Sequence, residues 1–161
     1  MGLGITPTRN FRGWEEQRFP LASTCSAKKG SLVMLDGARN LAEYVSTSSH
    51  YVGVILHDSV NSIPTGYALV AVPLGPSARA MIDVPTGIAT SAMSYGQAYG
   101  ITRFGTDPQP CSFLTTLATS VFSRVVTITG PIDNSSGNSR IEVAFIQNEA
   151  LFGSTSSVSI V

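Results

Sequence analysis

Eight short runs rich in β-branched and aromatic residues leave this chain few folds to choose from. They read SLVML (31–35), YVGVILH (51–57), YALVAV (67–72), AMIDV (80–84), AYGITRF (98–104), SFLTTL (112–117), RVVTIT (124–129) and RIEVAFI (140–146). Each has strand length and strand composition, and none is long enough for a helix of ordinary size. Turn-forming residues fall between them: DG at 36–37, PTG at 64–66 and at 85–87, LGP at 74–76, TGPID at 129–133 and NSSGN at 134–138. Glycine reaches a φ above zero at no steric cost and proline fixes φ, which turns require and strands resist. The pattern predicts an all-β protein.

One segment competes. In GARNLAEYV (37–45), Leu41, Tyr44 and Val45 have helical spacing, and Ala and Glu favour helix. The segment is short, follows a DG turn directly and has no Ser, Thr, Asn or Asp cap with a helical run behind it. A hairpin is the better reading, with SLVML out, DGARN turning and LAEYV back.

The runs also echo one another. KKGSLVML and SYGQAYGI both place a glycine ahead of an apolar strand, 66 residues apart. A polar loop and a return strand follow each, YVGVILHD and then SRVVTITG. Each half closes on a further strand, YALVAVP and then RIEVAFIQ. One copy of such a unit would leave sheet edges open and one face bare. Two copies packed together can form a compact barrel or sandwich. The expectation is a domain of two weakly similar halves, and it requires the same strand order in both.

The first twenty residues, MGLGITPTRNFRGWEEQRFP, look different. They show no period-2 pattern, hold the sole Trp and three of the eight arginines, and are repeatedly interrupted by Gly and Pro. They read as an extended N-terminal arm over 1–20, ahead of a β-domain over 21–161. Phe11, Trp14 and Phe19 are costly to leave in water, and Arg and Trp are interface-anchoring types. Arg9, Phe11, Arg12, Trp14, Arg18 and Phe19 are therefore the candidate partner contacts. The alternative is that these rings fold back onto their own domain.

Composition narrows the function. Only 12% of the 161 residues are charged, against a usual share of about 25%, while 43% are hydrophobic. Ser and Thr, 36 in all, supply polarity without charge. So few charges fit a surface that partners cover. Net charge is zero, and no polybasic run marks a nucleic-acid partner. Apolar stretches such as YALVAVPL fall far short of the roughly 20 residues a helical membrane span needs. A chain of this length buries enough surface to fold without a metal or a disulfide.

Little in the sequence looks like chemistry. His57-Asp58 are adjacent, whereas triad members rarely are, and His57 ends an apolar strand as a rim histidine would. His50 has no Cys, His or acid at a metal-ligand spacing. Glu15-Glu16 sit beside arginines and read as ion-pairing groups. Cys25 and Cys111 are isolated and read as reduced, buried thiols. Phosphate-loop, nucleophile-elbow and zincin motifs are missing. The expectation is a non-enzyme with no catalytic, cofactor or metal site.

Taken in order, the words GSLVMLDG, YVGVILHD, TGYALVAVPLG and PTGIATSAMSYGQAYGI resemble the small capsid cement, or head decoration, proteins of tailed bacteriophages. The resemblance spans about residues 21–148. It rests on Gly and apolar patterns, with no signature residue. It implies a compact β-barrel or β-tulip, assembled as a homotrimer on the outer surface of the phage head. There it would clamp neighbouring major capsid proteins, with no nucleic acid, membrane or cofactor involved. SRVVTITG departs from the pattern by lacking a VGV word, and the loops around TDPQPCSF and NSSGNSR look longer than the minimal form. The second reading is a phage tail, fibre or carbohydrate-binding β-module, with a groove lined by Tyr95, Tyr99 and Phe104. A third is a small hydrolase working through His57.

Overall fold

A computed structural model of the chain describes residues 4–44, 51–58, 66–75, 77–83, 98–103, 112–117, 126–133 and 140–145. Its strands are β1 (Thr6–Pro7), β2 (Trp14–Pro20), β3 (Leu32–Leu35), β4 (Leu41–Glu43), β5 (Gly53–Ile55), β6 (Tyr67–Pro73), β7 (Arg79–Asp83), β8 (Ala98–Arg103), β9 (Ser112–Leu117), β10 (Val126–Asp133) and β11 (Arg140–Phe145). The protein is all-β, and every one of the eight apolar runs contains a strand. The hairpin reading of 31–45 also holds for the described residues, since β3 pairs antiparallel with β4. Asp36 makes its turn: Oδ1 accepts the N–H groups of Ala38 and Asn40, both at 2.9 Å. This side chain closes the turn that a helix would have needed to start from.

Two antiparallel sheets form, ordered β2-β6-β5-β3-β4 and β1-β7-β11-β10-β8-β9. Numbered within each half, both run first, fifth, fourth, second, third, with β1 added at the edge of the second sheet. The registers match as well. Val54 faces Ala71 and Ile55 faces Val70 in one sheet, while Thr127 faces Ala144 and Ile128 faces Val143 in the other. Every one of these positions is displaced by 73 (54 to 127, 71 to 144). Leu32 faces Val54 in the first half and Ala98 faces Thr127 in the second, a displacement of 66 on the leading strand (32 to 98). That is the spacing of the two Gly-led words. The duplication read from the sequence is thus a duplication of topology and register.

The halves differ in how they are buried. One core lies between the sheets, where Trp14, Leu32, Val54 and Ala71 of the first meet Ile82, Tyr99, Ile128, Val143 and Phe145 of the second. Trp14 stands edge-on to Phe145 with ring centroids 5.2 Å apart. A second core lies on the other face of the first sheet, formed by Phe19, Val33, Leu41, Ile55, Val70 and Val72, with Leu21, Cys25 and Ala27 against it. A parallel bridge between Leu21 and Leu41 draws the ends of this sheet together, and the N–H of Ala22 donates to the Leu41 carbonyl at 3.0 Å. The first sheet is therefore buried on both faces, so VGVI and LVAV are continuously apolar. The second is buried chiefly on one face, and stretches of its strands alternate: Ala80-Met81-Ile82, Val126-Thr127-Ile128-Thr129, Ile141-Glu142-Val143; on the other face Asp83, Arg140 and Ala144 are also buried. At the matching positions Val54 becomes Thr127, Leu56 becomes Thr129 and Leu69 becomes Glu142. Among the described residues that face is the more polar one, as on terminal units of repeat arrays.

The glycine of the VGV word has a packing reason. A Cβ built on Gly53 would sit 2.1 Å from the Ala71 carbonyl oxygen. Gly53→Ala must push β5 from β6, and overpacking of this kind costs about 1–3 kcal/mol or more. The urea midpoint should fall with the slope of the transition unchanged; an unaltered midpoint would show that the sheets yield freely here.

The arm is not an arm. β1 pairs with β7, and β2 pairs with β6 along its whole length, from Trp14 opposite Pro73 to Pro20 opposite Tyr67. Trp14 is 9% exposed and Phe19 8%. The indole N–H donates to the Arg79 carbonyl at 3.0 Å. The rings fold back onto their own domain, and the boundary at residue 20 dissolves, because β2 is the first strand of the first half. The sequence concealed this strand because Glu15, Glu16 and Arg18 are all exposed on it. An edge strand shows water most of its side chains, which erases the alternation.

Candidate interaction surface

The β2–β6 ribbon carries most of the candidate contacts. At one end the chain makes a tight turn over Arg9–Phe11, with Asn10 and Phe11 at φ 54° and 61°. Gly13 follows at φ 83°, and a Cβ there would lie 2.6 Å from the Ala78 nitrogen and from Ser77 Oγ. Only glycine lets this turn pack on the 77–78 backbone. The N–H of Leu74 donates to the Gly13 carbonyl at 2.9 Å, so the end of the ribbon joins the turn. Phe11 and Leu74 stand on these two segments, each 40% exposed, with Arg12 exposed beside Phe11. At the other end Tyr67, 46% exposed, faces Pro20. Glu15, Glu16 and Arg18 line the strand between.

Of the six predicted contacts, Phe11, Arg12 and Arg18 lie at this surface and Arg9 belongs to the turn. Trp14 and Phe19 are instead core residues, 9% and 8% exposed. Tyr67 and Leu74 were missed. Their signals were weak, a Tyr directly after PTG and a Leu directly before GP. Tyr99, offered as a groove aromatic, is buried in the core between the sheets. Tyr95 and Phe104 lie outside the described residues, as do His50 and Cys111.

Several of the described titratable groups are tied into the structure. His57 Nε2 accepts the N–H of Leu69 at 3.0 Å, which places the proton on Nδ1, 2.9 Å from the Asp58 carbonyl. Both ring nitrogens are engaged with backbone groups, as expected of a rim histidine. Asp58 Oδ1 accepts the Lys29 N–H at 2.9 Å, and Oδ2 lies 4.0 Å from Lys28 Nζ. Glu43 accepts from Ser26 Oγ at 2.7 Å. Asp83 and Arg140 form a buried ion pair between β7 and β11. Gly4 N–H donates to Asp83 Oδ2 at 2.8 Å, and Arg140 donates to Thr6 Oγ1 at 3.1 Å and to the carbonyls of Gly4 and Met81, both at 3.3 Å. Sequence reading missed this pair because neither residue carries a motif; two charges in facing apolar strands were the available signal. Among the described residues no group of three His, Cys, Asp or Glu could hold a metal ion.

Fold and surface together define an all-β protein of two topologically equivalent sheets, with exposed apolar side chains at both ends of one ribbon. Comparison with known proteins finds no family model, curated sequence or solved structure that matches the chain.

Proposed function

We propose that this is a non-enzymatic structural protein of the phage particle, a capsid cement that binds the outside of the head. In that role it bridges major capsid proteins and self-associates as a homotrimer. The observation that carries the reading is the β2–β6 ribbon, where Phe11 and Leu74 sit at one end and Tyr67 at the other, with arginines interspersed. Aromatic and Arg side chains are the usual anchors of protein interfaces. The resemblance to head decoration proteins supports the same role. Attachment repeated over a symmetric shell lets modest contacts hold firmly.

The test uses purified protein and undecorated heads of its own virus. Phe11→Ala combined with Leu74→Ala should leave thermal unfolding unchanged and weaken co-sedimentation with heads by about tenfold or more, the scale of about 1.4 kcal/mol in binding. Undiminished occupancy by the double variant would sink the surface assignment. A wild-type protein that ignores heads would sink the function.

A further inference from the structure

Among the described residues, no strand pairs with the outer edge of β2 along Trp14–Pro20; the bridge from Leu21 to Leu41 begins only after it. Leu21 N–H and the Gly13 carbonyl both point toward β6, bonding Gly66 and Leu74. In a strand, direction alternates, so odd-numbered residues of β2 face β6 and even-numbered ones turn their N–H and carbonyl groups outward. Two facts agree with this parity. Pro20, which has no N–H, is an outward position, and Ala22 N–H bonds away from β6, to Leu41. The outward backbone groups of Glu16 and Arg18 have no partner among the described residues, and neither side chain makes an ion pair there. Pairing with β6 runs without a bulge across all seven residues, so the edge is regular. Such an edge is a template for another strand.

We propose that β2 pairs edge to edge with β2 of a second copy, antiparallel about a two-fold axis at Gln17. The chain itself identifies the occupant. Hydrogen bonding across the edge requires outward residues to face outward residues, so even positions pair with even positions. With Gln17 on the axis, Glu16 lies opposite Arg18 of the second copy, and Arg18 opposite its Glu16. Each pair exchanges both backbone bonds and sets opposite charges side by side. The neighbouring allowed registers fail: one sets Glu16 against Glu16, the other Arg18 against Arg18. A mixed-sign edge thus selects its own copy in one register, whereas charges of one sign would repel it. The contact is isologous and joins two five-stranded sheets into one. It does not rest on the capsid reading. In a lattice of trimers it would link one trimer to the next.

Analytical ultracentrifugation of the full chain over a concentration series tests it. The wild-type unit, whatever its size, should double in mass as concentration rises. Glu16→Arg places Arg against Arg, and Arg18→Glu places Glu against Glu. Each should weaken doubling by about tenfold or more. The swap Glu16→Arg with Arg18→Glu re-creates complementary pairs and should restore it. Both substituted positions, Glu16 and Arg18, are exposed, so circular dichroism should be unchanged throughout. Absence of doubling in the wild type, indifference to the single reversals, or failure of the swap to rescue would each overturn the proposal. A stable trimer that never doubles would end this contact and leave the trimer standing.

Discussion

Replacing Arg140 with Met will destabilise the protein by about 3–5 kcal/mol, because it leaves the Asp83 carboxylate buried without its counter-charge. Asp83 and Arg140 are 4% and 7% exposed, so water cannot take the place of the lost partner. The guanidinium also holds Thr6 and the Gly4 carbonyl, while Asp83 holds the Gly4 N–H. Loss of the pair should therefore free the chain before β1 as well. Hydrogen exchange at Gly4 and at the Arg79–Asp83 strand should rise more than at β3. The combined variant Asp83→Leu with Arg140→Met should recover much of the loss, since replacing both ions by apolar groups is often neutral or better. A single variant as stable as wild type in urea would show that the pair is already solvated.

Deleting residues 1–20 should prevent folding altogether. The deletion removes β1 and β2 and takes Ile5, Trp14 and Phe19 from the cores. Removing a buried Trp or Phe side chain alone typically costs about 3–5 kcal/mol. Three core side chains and a whole strand together match or exceed the roughly 5–15 kcal/mol by which domains are stable. The remaining β6 would expose an unpaired edge, a site for aggregation. The expected product shows no cooperative thermal transition. A truncated domain that melts cooperatively and merely binds heads poorly would be the behaviour of a detachable arm, and would contradict the pairing of β2 with β6.

These two variants mark where the sequence was legible. The central strands were legible because most of their side chains are buried, all but Tyr67 and Leu69 in YALVAV and all but Glu142 in RIEVAF. The duplication was legible because the Gly-led words recur 66 residues apart and the return and closing strands follow in the same order, 73 residues apart. β2 was not, because WEEQRFP spends most of its length at a sheet edge, where charged residues are tolerated and alternation vanishes. Its two buried rings, Trp14 and Phe19, are an odd number of positions apart and face different cores. No single-faced pattern could have shown them. The surface was legible in part, since Phe11, Arg12 and Arg18 are of interface type. Which aromatic turns inward and which turns outward is decided by strand pairing with β6, a contact some fifty residues away in sequence.

The two-faced burial of the first sheet has a consequence for biogenesis. During translation, residues 14–73 leave the ribosome with a strip of Trp14, Leu32, Val54 and Ala71 that nothing yet shields. Its cover ends at Phe145, whose synthesis lags by several seconds at roughly 5–20 residues per second. For that interval the nascent chain is half a protein with an adhesive flank, and completion of the last strand decides whether it matures or clumps.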